Sequence, residues 1–234
     1  MTAKDIVAEL KKLGTAQTKK TWMNHGAQEP CFGVKIEDMK KIQKRVKTDY
    51  QLALDLYDTG IADAMYLAGL IADDAKMTKK DLQKWVAGAS TVWVAEFTVP
   101  WVASGSAHGR EIALKWIESK NETIAAAGWQ TYSSLVAIKE DAELDLAEIK
   151  SLLQRVAKSI HQQPNRVRYV MNGFVIAVAC YVKPLHKHAV DTANGIGKVA
   201  VDLVGDCKIP FAPDQIKKYE ARREIGKKRK SPKC

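Results

Sequence analysis

Apolar residues recur at helical spacing along almost the whole chain, and this periodicity constrains the fold more than any other feature. One example is the stripe formed by Ile36, Met39, Ile42 and Val46, whose opposite side carries Lys and Arg residues. Spacings of three and four residues place such side chains on one face of an α-helix. Similar stripes follow one another with short breaks between them. The sequence therefore predicts an all-α protein with roughly ten or more helices.

Capping residues and helix breakers indicate where the helices begin and end. The first stripe ends at Gly14, a C-cap, and Thr78 is placed as the N-cap of a later helix. Further helices are predicted at residues 113–117, 123–137, 146–160, 167–182 and 185–203. Pro100 interrupts the apolar segment 91–103, so we expect a kink or a split there. Segments 91–94 and 174–176 contain strand-favouring residues, but no hairpin turn or alternating partner accompanies them, and both are assigned to buried helix.

The helix pairs recur at intervals of roughly 35–45 residues, which is the period of HEAT-like repeats. Self-similarity between the repeats is weak at the level of single residues, so a helical bundle and an irregular all-α domain stay open on periodicity alone. We expect one α-superhelical domain at residues 1–215 and a basic C-terminal tail at residues 216–234.

Positive charge is concentrated near the C-terminus. The formal net charge is +10, and residues 217–234 hold nine Lys or Arg and two Glu, which gives 9 − 2 = +7. Such a segment binds polyanions by neutralising phosphates and releasing counterions. A solvated tail that only aids solubility has the same composition. Charge alone leaves both interpretations open.

The sequence also predicts the cellular compartment. The longest apolar stretch, residues 174–182, has nine residues, whereas a bilayer span needs about 18. No apolar segment follows Met1, which argues against secretion. The four cysteines at 31, 180, 207 and 234 are scattered, which is typical neither of a disulfide framework nor of a zinc site. We therefore expect a cytoplasmic protein that does not enter a membrane.

Several short segments resemble the AlkD-like DNA alkylation repair family. They are Phe32-Gly33-Val34, Thr98-Val99-Pro100-Trp101-Val102-Ala103, Ala127-Gly128-Trp129, Arg168-Tyr169-Val170-Met171-Asn172-Gly173-Phe174-Val175-Ile176, Ile196-Gly197-Lys198-Val199, Cys207-Lys208-Ile209-Pro210 and Ile225-Gly226-Lys227-Lys228-Arg229-Lys230. Each motif is weak by itself, but their order and spacing from about residue 30 onward are specific. The resemblance implies a HEAT-like α-superhelix whose concave, basic surface binds duplex DNA by its backbone, without a cofactor and as a monomer.

The resemblance also implies a site for chemistry. Active glycosylases of that family excise cationic alkylated purines, with a Trp-x-x-x-Asp segment whose carboxylate stabilises positive charge on the sugar. Here Trp93 takes the place of the Trp, but Phe97 stands where the Asp is expected. The expected Arg falls near Ala126, and Phe174 replaces a second Trp. Glu96 is one residue away, about 100° around an α-helix. It is the candidate catalytic residue.

The other candidate positions would contact nucleic acid, and each has a structural alternative. Trp93 and Trp129, with Trp101, could stack on bases or simply pack between helices. One helix begins with Arg166, Arg168 and Asn172. Cations beside the unpaired amides of a helix N-terminus can form a phosphate site, and the alternative is solvated surface charge. Lys198, after two glycines without P-loop spacing, and Lys208, in a turn, are candidate phosphate contacts. Lys227, Lys228, Arg229 and Lys230 complete the set in the tail.

Three functions remain from the sequence. The first is a DNA-binding protein for double-stranded DNA, damaged or distorted, without the standard glycosylase carboxylate. The second is a glycosylase that uses Glu96, and the third is a helical-repeat scaffold for acidic proteins. We expect no metal site, although His186, His188, Asp202, Asp206 and Cys207 include possible ligands. His186 and His188 are two positions apart on a helix, so their side chains diverge by about 200°.

Overall fold

The computed structural model describes residues 1–203 and 208–233, and all regular structure in this part of the chain is helical. Gly205, Asp206, Cys207 and Cys234 therefore lie outside the described residues. The described residues form thirteen α-helices, which fall into two compact units. The predicted all-α class is confirmed. No helix in the described part has both the length and the apolar character that crossing a bilayer requires.

The first unit comprises Met1–His108 together with Lys233. Its helices are α1 (Ala3–Leu13), α2 (Ala16–Asn24), α3 (Ile36–Val46), α4 (Tyr50–Asp58), α5 (Ala62–Ile71), α6 (Lys79–Gly88) and α7 (Val99–Gly105). Every residue of α5 is buried. A helix that is apolar around its whole circumference belongs at the centre of a core, and α3, α4 and α7 pack around this one.

A carboxylate in α5 holds the loop that precedes α3. Asp63 is fully buried and accepts hydrogen bonds from the backbone N–H groups of Phe32 (2.6 Å) and Val34 (2.7 Å). Gly33 lies between them with φ of +76°, and a Cβ there would come within 2.3 Å of the Lys19 backbone. Only glycine fits such a position, so the Phe-Gly-Val segment is shaped by its contact with α2 and α5.

The second unit comprises Gly109–Pro232 in its described part. Its helices are α8 (Gly109–Ile117), α9 (Glu122–Ile138), α10 (Leu146–Ser159), α11 (Asn165–Tyr181), α12 (His186–Ile196) and α13 (Ala212–Glu220). Helices α8 and α11 pack closely on α9. A Cβ on Gly128 of α9 would lie 2.5 Å from the backbone nitrogen of Ile117, so the missing side chain permits this approach. The predicted start of the tail, residue 216, lies within α13.

The sequence-based helix boundaries are right where local signals are strong. Gly14 caps α1, and Thr78 forms a capping box with Asp81 at the start of α6. The helix predicted at residues 185–203 is too long, because α12 ends at Ile196. The residue that caps it, Gly197, has a left-handed φ of +60°. Helix α2 was not predicted.

The predicted interruption near Pro100 also takes another form. A π-helical turn, Val94–Thr98, runs directly into α7, and Pro100 lies in the first turn of that helix, where its missing N–H costs no hydrogen bond.

Candidate nucleic-acid interface

The Trp93-to-Phe97 segment lies at the π-helical turn of the first unit. Trp93 immediately precedes the turn, and the N–H of Val99 donates to the carbonyl of Val94, five residues earlier. A π-turn is wider than an α-turn and often marks a functional site. The angular relation of 100° per residue, expected from an α-helix, therefore does not apply between Trp93 and Phe97.

An aromatic cluster surrounds this turn. The Trp93 ring packs edge-on against Trp22 with centroids 4.4 Å apart, and Tyr66 lies 5.2 Å from Trp93. Tyr66 also packs edge-on against Trp101 at 5.4 Å, and Phe97 lies 6.2 Å from Trp101. Trp22 and Trp93 are half-buried. The indole Nε1 of Trp93 is buried and has no hydrogen-bond acceptor among the described residues.

Glu96 and Phe97 occupy opposite environments although they are adjacent. Glu96 is 3% exposed, whereas Phe97 is 42% exposed. The next residue, Thr98, is fully buried, and a Cβ on Gly69 of α5 would come within 2.5 Å of its methyl group. The π-turn is thus packed tightly against α5 on one side and presents Phe97 on the other. The exposed position holds an apolar ring and the carboxylate is enclosed.

Trp129 lies in the core of the second unit. It is 1% exposed and packs edge-on against Phe174, with ring centroids 5.2 Å apart. The guanidinium of Arg155 lies 5.8 Å from the Trp129 ring centroid and forms an ion pair with Glu118. Trp101 of the first unit is also buried, at 6% exposure. For these two tryptophans the structure shows the packing role that was the alternative to base stacking.

The N-terminus of α11 carries two of the predicted phosphate ligands, but one of its amides is already bound. The backbone N–H of Arg166 donates to the Glu122 carboxylate (2.5 Å). This amide is therefore paired, whereas the sequence predicted an unpaired one. The Arg166 guanidinium lies over the Tyr169 ring at 4.5 Å. A carboxylate therefore occupies part of the space that an anion at this helix end would take.

Arg168 and Asn172, one turn further along α11, lie in different environments. Arg168 is half-buried, and its Nε atom has no acceptor among the described residues. Asn172 is 1% exposed and donates to the Pro210 carbonyl (2.9 Å). Asn165 binds both backbone polar groups of Asp202, at 2.8 and 2.7 Å. Both asparagines therefore position the chain after α12.

Lys198 and Lys208 lie at the two ends of that connecting segment. Both side chains are exposed, and neither forms an ion pair with a carboxylate in the described ranges. They are free to contact a phosphate, and the sequence singled out both.

The C-terminal basic residues divide into one structural lysine and several exposed cations. Lys228 Nζ donates to the carbonyls of Val136 (3.0 Å) and Tyr181 (2.6 Å) and to Asp141 Oδ1 (2.8 Å). Its side chain is 7% exposed. Lys227, Arg229 and Lys230 are exposed. Lys228 therefore binds the C-terminal ends of α9 and α11, and its charge is directed inward.

Of the two histidines, His186 has protein partners and His188 has a buried ring nitrogen. His186 bonds through Nδ1 to the Ala179 carbonyl (2.8 Å) and through Nε2 to Glu220 (3.0 Å). His188 Nε2 is buried and has no partner among the described residues. Within residues 1–203 and 208–233, no three His, Cys, Asp or Glu side chains converge as metal ligands would.

Two members of the aromatic cluster were missed from the sequence. Trp22 lies on the unpredicted helix α2, and Tyr66 lies in the fully buried helix α5. Both rings contact Trp93, although Trp22 lies 71 residues and Tyr66 lies 27 residues before it in the sequence. No local motif marks such pairs, because the contact exists only once the helices pack.

Comparisons with known proteins agree with this architecture. A solved structure matches with a TM-score of 0.92 and 37% sequence identity, and the match covers 98% of each chain. It belongs to a new family of proteins related to the HEAT-like repeat DNA glycosylases with affinity for branched DNA structures. The predicted HEAT-like helical fold is therefore confirmed.

Sequence relatives cover the same length. An uncharacterized protein of Listeria innocua is 33% identical over 228 residues, which are 95% of this chain and 99% of that protein. An uncharacterized protein of Listeria monocytogenes is 32% identical with the same coverage. The family described as DNA alkylation repair enzyme matches residues 6–201. The chain therefore belongs to the DNA alkylation repair enzyme family.

Proposed function

We propose that this protein binds DNA through the phosphate backbone, prefers branched or distorted DNA, and lacks the standard glycosylase chemistry. The observation that carries the proposal is the arrangement of two residues at the π-turn. Phe97, at the position where the Asp is expected, is exposed, whereas the carboxylate of the neighbouring Glu96 is 3% exposed. A carboxylate that stabilises a sugar cation must reach the sugar. The enclosed position of Glu96 keeps it from doing so.

Exposed cations supply the contacts in this proposal. Lys198 and Lys208 have exposed side chains, and the net charge of +10 favours a polyanionic partner. The affinity of the structural relative for branched DNA supports the preference for branched substrates. The basic concave surface implied by the family resemblance, a monomeric state and a cytoplasmic location belong to the same proposal.

Binding to a four-way junction and to a linear duplex of matched sequence tests this function. Fluorescence anisotropy over a salt series should give log–log slopes of about −0.9 per phosphate neutralised, with tighter binding to the junction. Lys198→Gln/Lys208→Gln should weaken binding more than Lys150→Gln/Lys158→Gln, which removes two exposed charges from α10. A flat salt dependence would instead favour the scaffold for acidic proteins.

Catalysis by Glu96 is the second candidate function, and the π-turn leaves it open. The wider turn alters the helical register beside Trp93, so the one-residue offset of Glu96 does not by itself exclude it. Base release from methylated duplex DNA separates the two candidates. We expect wild type to release no more base than a blank reaction. Release by wild type that is lost in Glu96→Gln would establish the glycosylase and refute the first proposal's account of the site.

A further inference from the structure

A cationic pocket in the second unit includes Arg229 of the basic tail, and its other cations belong to no site described above. Its volume is about 520 Å³, and its walls include Tyr181, Lys218, Tyr219, Arg222, Arg223 and Arg229. This volume falls in the ~300–1,000 Å³ range of small-molecule sites. Among the described residues no acidic side chain lines the pocket, and none of its four cations forms an ion pair with a carboxylate. Four uncompensated positive charges around one cavity favour an anion.

Two tyrosines form the aromatic part of the wall. The rings of Tyr181 and Tyr219 pack edge-on, with centroids 5.6 Å apart. Burial raises the pKa of Tyr181, and the nearby positive charges of Arg229 and Arg223 oppose that rise. Burial also raises the pKa of Tyr219. Both phenols are therefore protonated at neutral pH, and each brings a hydroxyl donor and an aromatic ring to the same cavity as the guanidinium groups.

The backbone around the pocket is fixed in place. Helix α13 is anchored by Ile216, which is 2% exposed, and the N–H groups of Arg222 and Arg223 both donate to the Tyr219 carbonyl (2.9 Å each). The N–H of Arg229 donates to the Ala137 carbonyl (2.7 Å). The fold uses the backbone of these three arginines, and their side chains remain available for a ligand.

Attraction to helix ends does not account for the whole cluster. Cations near a helix C-terminus are stabilised by the helix dipole, and α11 and α13 both end at this pocket. However, the terminal carbonyl of α11, on Tyr181, is already bound by Lys228 Nζ at 2.6 Å. Arg229 is therefore not needed to neutralise that end of the helix.

We propose that this pocket binds the phosphate of a nucleotide, with the guanidinium groups of Arg223 and Arg229 on the phosphate and the base against Tyr181 or Tyr219. Arginine pairs with phosphate through two parallel hydrogen bonds, and aromatic side chains stack on bases without regard to sequence. The nucleotide has two possible sources, a free mononucleotide and an unpaired or terminal nucleotide of a DNA strand. The proposal does not depend on binding of duplex DNA.

Calorimetric titration with defined probes tests the pocket and separates the sources. The small probes are deoxyadenosine 5′-monophosphate, deoxyadenosine and inorganic phosphate, and the strand probes are one short single strand with and without a 5′-phosphate. We expect binding to require phosphate and to weaken about tenfold or more in Arg223→Gln/Arg229→Gln. Lys150→Gln/Lys158→Gln, with the same change of charge on α10, should change affinity less than about twofold.

The set of probes that bind identifies the source of the nucleotide, and the two double variants test the pocket itself. Binding of the mononucleotide but not of the nucleoside indicates a free nucleotide, and binding of the 5′-phosphorylated strand alone indicates a strand end. Equal weakening by the two double variants would refute the pocket, and so would a wild type that binds none of the phosphate probes. Far-UV circular dichroism and thermal unfolding of Arg223→Gln/Arg229→Gln confirm that the variant folds, and Arg222→Gln/Arg223→Gln, exposed in both positions, provides a second test.

Discussion

Lys228 forms an ion pair with Asp141, 2.8 Å between Nζ and Oδ1, although Lys228 lies in the run of basic residues 227–230. The Lys228 side chain is 7% exposed and also binds two helix-terminal carbonyls. A lysine in a run of basic residues thus completes the ends of α9 and α11.

Lys228→Met should destabilise the second unit by about 2–3 kcal/mol, because two helix-terminal carbonyls and the half-buried Asp141 carboxylate lose a charged donor. Urea unfolding measures the difference. Lys230→Met is the matched control, since Lys230 is exposed and two positions away. Equal stability of the two variants would show that Lys228 does not bind the helix ends in solution.

Asp63→Asn should cost the first unit about 2 kcal/mol. The amide of Asn replaces one of the two acceptor oxygens with an NH₂ donor, so one of the Phe32 and Val34 N–H groups faces a donor and loses its acceptor. Thermal unfolding gives the loss of stability, and limited proteolysis near residue 32 should become faster. Glu37→Gln, at an exposed position of α3, should leave both measurements unchanged.

Two glycine-to-alanine substitutions should have opposite effects. Gly128→Ala places a methyl group against the backbone of α8 and should destabilise the protein by more than about 2 kcal/mol. Gly173→Ala, where a Cβ meets nothing within 4 Å, should stabilise α11 by about 0.5–1 kcal/mol. Chemical denaturation of both variants checks the pair. Similar effects in the two would contradict the close approach of α8 and α9.

The capping box of α6 should contribute a pH-dependent stability. Burial raises the pKa of Asp81, but hydrogen bonds from Thr78 and Tyr50 outweigh it, and the net pKa lies below the usual 3.8. A lowered pKa in the folded state means stability that is present above the unfolded value and is lost as the pH falls through the folded one. Asp81→Asn should therefore cost about 1 kcal/mol at pH 7, a modest value because the group is only partly buried.

The pH series supplies the control for that prediction. Once the pH falls below the folded pKa of Asp81, the wild-type carboxyl is neutral like the amide, and the two unfolding curves should converge. A difference that stays constant from pH 7 to pH 2.5 would show that the charge of Asp81 has no role.

How far the sequence predicts this structure depends on whether the signal is local. Thr78 and Gly14 mark helix ends through their own neighbours, and both boundaries are correct. Helix α2 has no buried residue and only Trp22 and Met23 as large apolar side chains, so it offers no stripe to detect. The end of α12 depends on a positive φ at Gly197, and a glycine in sequence does not by itself reveal its backbone angle.

The candidate sites show the same limit more strongly. The position of Phe97 in the Trp-x-x-x-Asp pattern could be read from the sequence, but its exposure, and the burial of Glu96, depend on a π-turn. Trp129 and Asn172 were chosen by residue type, yet packing places one in the core and commits the other to Pro210. The pocket at Arg223 and Arg229 required two chain segments and α11 to meet, which no spacing encodes.

The hydrogen bonds from Lys228 to the ends of α9 and α11 also affect the order of events during synthesis. Its most distant partner, the Val136 carbonyl, lies 92 residues earlier in the chain. A ribosome that adds about 5–20 residues per second needs roughly 5–20 seconds to make that stretch. Throughout that interval the last turn of α9 has been made but its cation has not. These contacts can therefore form only after Lys228 has left the ribosome, and until then the carbonyls at the ends of α9 and α11 lack this donor.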